Sequence, residues 1–202
     1  MDIDEKLINA CTDGNLSTVR KYVEQGANIH MENDLPLRWA AEDGHLAIVK
    51  YLVEQGANIH TGSDDAFRRA AAHGHLETIK YLIERRVNIH AENDNALRLA
   101  AERGHLKVVE YLIENGADIH AKKDYALRWT AYHGYLEVVK YLIKQGANIH
   151  AVGDWALRHA AKYGYLQVAN VIRKAASDKY KCHRCIIRST CLEICGDFKN
   201  GH

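Results

Sequence analysis

At 202 residues and 47% hydrophobic content the chain carries enough apolar material for a sizeable buried core, which excludes disorder as its default state. A formal net charge of +1 excludes a global pull toward nucleic acid or an anionic membrane, since both need a marked excess of Lys and Arg. Residues 1–60 hold 10 acidic and 5 basic side chains, residues 61–120 hold 10 and 8, and residues 121–202 hold 6 and 14, so attraction for an acidic partner belongs to the last third.

The chain opens on Met1-Asp2-Ile3-Asp4-Glu5, acidic where a signal peptide is basic and then apolar. No apolar run reaches the roughly 18–20 residues that cross a bilayer. Cys11 stands alone and four further cysteines crowd into residues 182–195, which does not resemble a disulfide framework spread over a secreted domain. A protein of a reducing, intracellular compartment, the cytoplasm, is expected, with no membrane partner.

GANIH or a close variant recurs at 26–30, 56–60, 116–120 and 146–150, and VNIH fills the missing slot at 87–90. The period is 30, and six repeats begin at Asp4, Asp34, Asp64, Asp94, Asp124 and Asp154, the last fading near Arg173. The first is the loosest. Cys11 replaces an alanine there, and Asn9 stands where inner repeats have Trp39, Leu99 or Trp129, as expected of an end repeat with a wetter outer face. The second holds the chain's only proline, Pro36, near a helix start, where a missing N–H costs nothing. The third carries Arg85-Arg86-Val87 in place of x-Gly-Ala. A non-glycine residue in the left-handed conformation costs roughly 1–2 kcal/mol, so the join between the third and fourth repeats is expected to be remodelled or weak.

The fourth repeat shows the common pattern most clearly. Leu97, Ala100 and Ala101 share one helical face, Gly104 interrupts, and Leu106, Val109, Leu112 and Ile113 share a second, which predicts two short helices. Asp94 is expected to cap the first by accepting a backbone N–H from the residues after it. Gly104 and Gly116 are expected to end the two helices, and the paired alanines to let them approach closely. Neither helix buries its apolar stripe alone, so the repeats must stack into a continuous core. Trp39 and Trp129, beside those alanines, are expected to be buried.

The fifth and sixth repeats collect aromatic and basic residues at positions that vary from repeat to repeat. The tail, residues 177–202, holds Cys182, Cys185, Cys191 and Cys195 in a C-x2-C-x5-C-x3-C pattern. Three readings of it stay open: a zinc site, whose middle loop is shorter than that of a zinc ribbon; free thiols; and a helix packing Ile186, Ile187, Leu192 and Ile194 onto the last repeat.

The run Ala-Ala-x-x-Gly-His-Leu-x-Val-Val-x-x-Leu-Ile-x-x-Gly-Ala at 100–117 resembles the core signature of ankyrin repeats, and it recurs in phase from about 4 to 173. The IH-A-x-x-D-x-ALRW form also resembles the ankyrin arrays of giant DNA viruses, which would place the protein in a host cell. The resemblance implies an all-α solenoid of stacked helix-turn-helix units with projecting hairpin loops, and protein binding without catalysis. The chain departs from the family's 33-residue unit by three residues between IHA and ALR, so the hairpins are expected to be short, with strand pairing in them left open. Asp stands where the family's Thr caps, and Arg38, Arg68, Arg98, Arg128 and Arg158 stand where its His would hydrogen-bond between neighbours.

His30, His60, His90, His120 and His150 form a ladder, but rungs on stacked repeats lie roughly 8–10 Å apart, too far to share one zinc ion. They replace the family's linking Asn, and a structural role is favoured for them and for His45, His75 and His105. No phosphate loop, HExxH or nucleophile elbow is present, so no enzyme and no cofactor is expected. The resemblance places partner choice at hairpin tips and on the exposed end of the first helix, which selects Lys122, Lys123, Tyr125, Tyr132, His133, Trp155, Lys162 and Tyr163 as a patch for an acidic or mixed protein surface. The competing reading has Tyr125 and Trp155 merely covering the shortened loops. An adaptor that presents captured proteins through its tail is the alternative function, and nucleic-acid binding is disfavoured.

Overall fold

A computed structural model describes residues 2–179. Among the described residues there are twelve helices and no strand. They come in pairs, α1 (Ile3–Thr12) with α2 (Leu16–Glu24), α3 (Met31–Glu42) with α4 (Leu46–Glu54), and α5 (Thr61–Ala72) with α6 (Leu76–Glu84). The series continues with α7 (Ala91–Glu102) and α8 (Leu106–Glu114), α9 (Ala121–His133) and α10 (Leu136–Lys144), and α11 (Ala151–Lys162) and α12 (Leu166–Lys179). The chain divides within α9, between Ala126 and Leu127, into two compact units.

In the first unit α1 packs on α3, α3 on α5 and α5 on α7, while α2, α4, α6 and α8 form a second row behind them. Ala40, Ala41, Ala70, Ala71, Ala100 and Ala101 are all fully buried, and their small size lets the helix rows approach. Leu52, Ile79, Leu82 and Leu112 fill the space between rows. The second unit packs α12 against α10 and α11 over Leu127, Leu142, Ala160 and Ile172. Gly104 and Gly116 end α7 and α8 at φ 79° and 97°, as the residue pattern predicts. In each Asn-Ile-His or Asp-Ile-His turn the Asn or Asp side chain accepts the histidine's backbone N–H, as Asn58 does from His60 at 3.0 Å.

The hairpins are short, and their geometry is unexpected. Each of α3, α5, α7, α9 and α11 begins with a left-handed turn of three consecutive residues, 32–34, 62–64, 92–94, 122–124 and 152–154. All fifteen have φ between 46° and 63°, and only Gly62 and Gly153 are glycines. L-residues resist such turns by roughly 1–2 kcal/mol each. The recurrent arginine answers part of that cost. Arg98 donates from Nε to Asn93 O and from Nη2 to Glu92 O, both at 3.0 Å, and Arg38 and Arg68 hold the same two carbonyls in their own repeats.

Two expectations need correction. The repeat aspartates are not engaged as caps, since the carboxylates of Asp34, Asp64 and Asp94 accept from the histidine rings four residues back. The carboxylate of Asp94 is buried instead and accepts from the His90 ring at 2.9 Å and from the backbone N–H of Asp118 at 2.8 Å, tying the start of its repeat to the end. In the first repeat the N-cap is Asp2, paired with Glu5, while Asp4 accepts from Asn28 N at 2.7 Å. Trp39 and Trp129 are half-buried rather than buried, because they flank the alanine seam instead of entering it. At the third join, expected to be remodelled or weak, Arg86 takes the glycine's place at φ 66° and keeps the turn.

Candidate functional site

The eight residues selected from the sequence divide between the two units. In the first, Lys122 and Lys123 are exposed within a left-handed tip, and Tyr125 is half-buried. The Tyr125 hydroxyl donates to Glu102 Oε2 at 2.8 Å, and the Arg98 guanidinium lies 5.0 Å from its ring centroid.

In the second unit the other five are brought together. Helices α9 and α11 place their variable positions side by side, so the Tyr132 ring lies 4.8 Å from that of Tyr163, 5.9 Å from Trp155 and 5.0 Å from His133. Lys162 Nζ sits 5.5 Å from the Tyr163 ring. Two members were missed by the sequence reading. Trp129 contacts Tyr132 at 5.2 Å and Trp155 at 5.6 Å, and His159 stacks on Trp155 at 3.8 Å. The signal was available: the column Trp39, Arg69, Leu99, Trp129, His159 changes chemistry at every repeat, which a pure packing position does not do. Tyr163 is 46% exposed, while Tyr132 and Trp155 are half-buried. The hydrogen bond with Tyr163 raises the Tyr132 phenol pKa above its ordinary value.

Corresponding positions in the first unit carry an ion-pair network. Arg69 bonds Glu42 and Asp65, and Asp65 also accepts from Arg38 at 3.3 Å and Arg68 at 3.0 Å. Burial raises the Asp65 pKa, but the bond and charge of Arg69, with Arg68 and Arg38, outweigh it and hold the carboxyl below its usual range. Glu42, Asp65, Arg68 and Arg69 line a shallow depression of about 220 Å³ together with His73, Leu99 and Arg103.

Both histidine series are tied to the scaffold. His30, His60, His90, His120 and His150 each bond the aspartate four residues on, at 2.5–2.9 Å. His45, His75 and His105 reach through Nε2 to the carbonyls of Thr12, Glu42 and Ala72, so the structural reading of both is supported. Burial pushes the Cys11 thiol up to about 12, far from a reactive thiolate at neutral pH. Among the described residues no group of three or more His, Cys, Asp or Glu is placed to hold a metal ion, and no helix is long and apolar enough to cross a membrane. Cys182, Cys185, Cys191 and Cys195 lie outside the described residues.

Three family models match the chain: "Ankyrin repeats (3 copies)" over residues 61–123, "Ankyrin repeats (many copies)" over 37–83 and "Ankyrin repeat" over 122–154. Together they span more than half of the sequence. No curated protein matches it. Among the solved structures that do match is the human ASB11 ankyrin repeat domain, at 23% identity and a TM-score of 0.73, covering 84% of this chain and 82% of that one. At such identity the likeness speaks for the arrangement of helices alone.

Proposed function

That the chain belongs to the ankyrin-repeat family, whose repeats are in general protein–protein interaction modules, is the premise from which we propose a non-catalytic scaffold. Its protein partner is held on the tips and exposed first-helix faces of the repeats. The observation that carries this reading is the gathering of Trp129, Tyr132, Trp155 and Tyr163 at positions free to vary without disturbing the alanine core. Large aromatic side chains bury much area at little entropic cost, and they dominate interface energetics.

The test is a comparative capture. The full chain and its Tyr132→Ala/Tyr163→Ala variant are immobilised side by side in cell lysate, and bound proteins are read by mass spectrometry. Proteins held by the first and lost from the second support the reading, and identical sets refute it. A chain ending at Arg173 separates scaffold from adaptor. The scaffold keeps its partners without the tail, whereas partners lost with the tail would move recognition into residues 177–202.

A further inference from the structure

Clustered aromatic rings usually suit a cation, because the ring face is electron-rich. Here that role is already filled from within the chain. The Arg128 guanidinium lies 5.6 Å from the Trp155 centroid and the Lys162 ammonium 5.5 Å from that of Tyr163. A cationic ligand arriving at these rings would meet like charge.

The carboxylate inventory points the same way. From Leu127 to Ser177 there are seven Lys and Arg but only two acids, Glu137 and Asp154. Glu137 bonds Lys140 at 2.7 Å on α10, and Asp154 bonds the His150 ring. Neither bond is made to a residue of the aromatic cluster, whereas Glu42 and Asp65 both bond Arg69 in the first unit, and basic side chains outnumber acids over this stretch. His133 and His159 each engage Nδ1 with a carbonyl one turn back, Trp129 O at 2.9 Å and Trp155 O at 2.8 Å. The second nitrogen of each ring is thereby left as its remaining polar atom.

Resting on the scaffold reading above, we propose that the α9–α11 aromatic surface binds an acidic peptide segment of its partner, whose carboxylates meet Lys162 while its apolar side chains cover Tyr132, Trp155 and Tyr163. Charge complementarity selects the partner and sets its approach, and ring burial supplies the adhesion. Single-stranded nucleic acid also combines negative charge with flat apolar groups, but a stacking platform needs open ring faces in series. These rings close on one another instead, Tyr163 edge-on to Tyr132 and His159 flat on Trp155.

A display library of random linear peptides, panned on the full chain and counter-panned on Tyr132→Ala/Tyr163→Ala, tests the proposal. Peptides retained by the first and lost from the second are expected to be enriched in Asp and Glu together with an aromatic or large aliphatic residue. Lys162→Glu, an exposed change, should weaken the best such peptide by about tenfold through like-charge contact. Ring-dependent peptides with neutral or basic composition would overturn the acidic assignment and leave the scaffold reading standing. Binders indifferent to the two tyrosines, or no binders at all, would overturn both. Displacement of the peptides by oligothymidylate at equal concentration would make the surface a nucleic-acid platform and likewise end the proposal.

Discussion

Arg86 stands where other repeats have glycine, and the backbone has yielded only slightly to it. Its φ of 66° falls short of the 97–99° of Gly56, Gly116 and Gly146, and the closing bond Val87 N to Leu82 O stretches to 3.4 Å against 2.9 Å at Ala57 and 3.0 Å at Ala117. Arg86→Gly should therefore stabilise the chain by about 1 kcal/mol, read as a higher urea midpoint at unchanged slope. An unchanged midpoint would mean that the turn carries no strain. His105 gives a second prediction. Burial lowers its pKa below the ordinary imidazole value, its bond to Ala72 O opposes this, and Arg103, His73 and His75 add to the lowering. With the folded pKa depressed, its contribution to stability is complete above about 6.5, the unfolded value, and fades as pH falls through the folded one. His105→Asn should lose less stability than the parent between about pH 7 and pH 5, and parallel pH profiles would refute this. The glycine-to-arginine change was visible in the sequence as a break in a repeated pattern. The depression of His105 was not, because it depends on burial and on charges from two turns.

The three-residue left-handed turn that opens each first helix could not be read from the sequence at all. Glu-Asn-Asp, Gly-Ser-Asp and Lys-Lys-Asp share no glycine position that would announce φ above zero, and local propensity argues against three such residues in succession. What specifies the turn is tertiary. An arginine four residues past the aspartate grips two of its carbonyls, and the aspartate itself reaches a backbone N–H 24 residues ahead. The sequence displayed the constancy of both residues but assigned the aspartate the wrong task, a cap, because a carboxylate at a helix start fits that role by default. The planar guanidinium bonds both carbonyls from one fixed fork, which an ammonium cannot do. Arg98→Lys should cost roughly 1–2 kcal/mol of stability. Asn93→Gly in that background should recover roughly half to all of 1 kcal/mol by removing left-handed strain. Failure of the glycine to restore anything would show that the arginine serves some end other than holding the turn.

At the scale of the whole molecule, the strict period of 30 made helix pairing, helix order and the alanine seam legible before any coordinates, since each repeat is one instance of a single packing solution. The aromatic site was half legible. Tyr132, Trp155 and Tyr163 stood out as variable exposed positions, whereas Trp129 was hidden because it borders the buried alanines and was read as packing, and His159 was not singled out. Periodicity also implies that the array tolerates loss of a member. Excising residues 64–93 joins Ser63 to Asp94 in phase, so α3 meets the surface that α7 presented to α5. The change removes the Arg86 turn and the Asp65–Arg69 network, whose partly exposed ion pairs contribute little to stability. The shortened chain should keep its helicity per residue and unfold in one cooperative step at a lower urea midpoint, because one repeat and one interface are gone. Since the α9–α11 surface is built within the second unit, the ring-dependent peptides should bind it within about twofold of the parent. Excision of residues 64–78, half a period, supplies the contrast, because it sets a first helix where a second belongs. Equal helicity and cooperativity in the two deletions would show that phase does not govern the stack, and lost peptide binding in the in-phase deletion would show that recognition draws on the first unit as well.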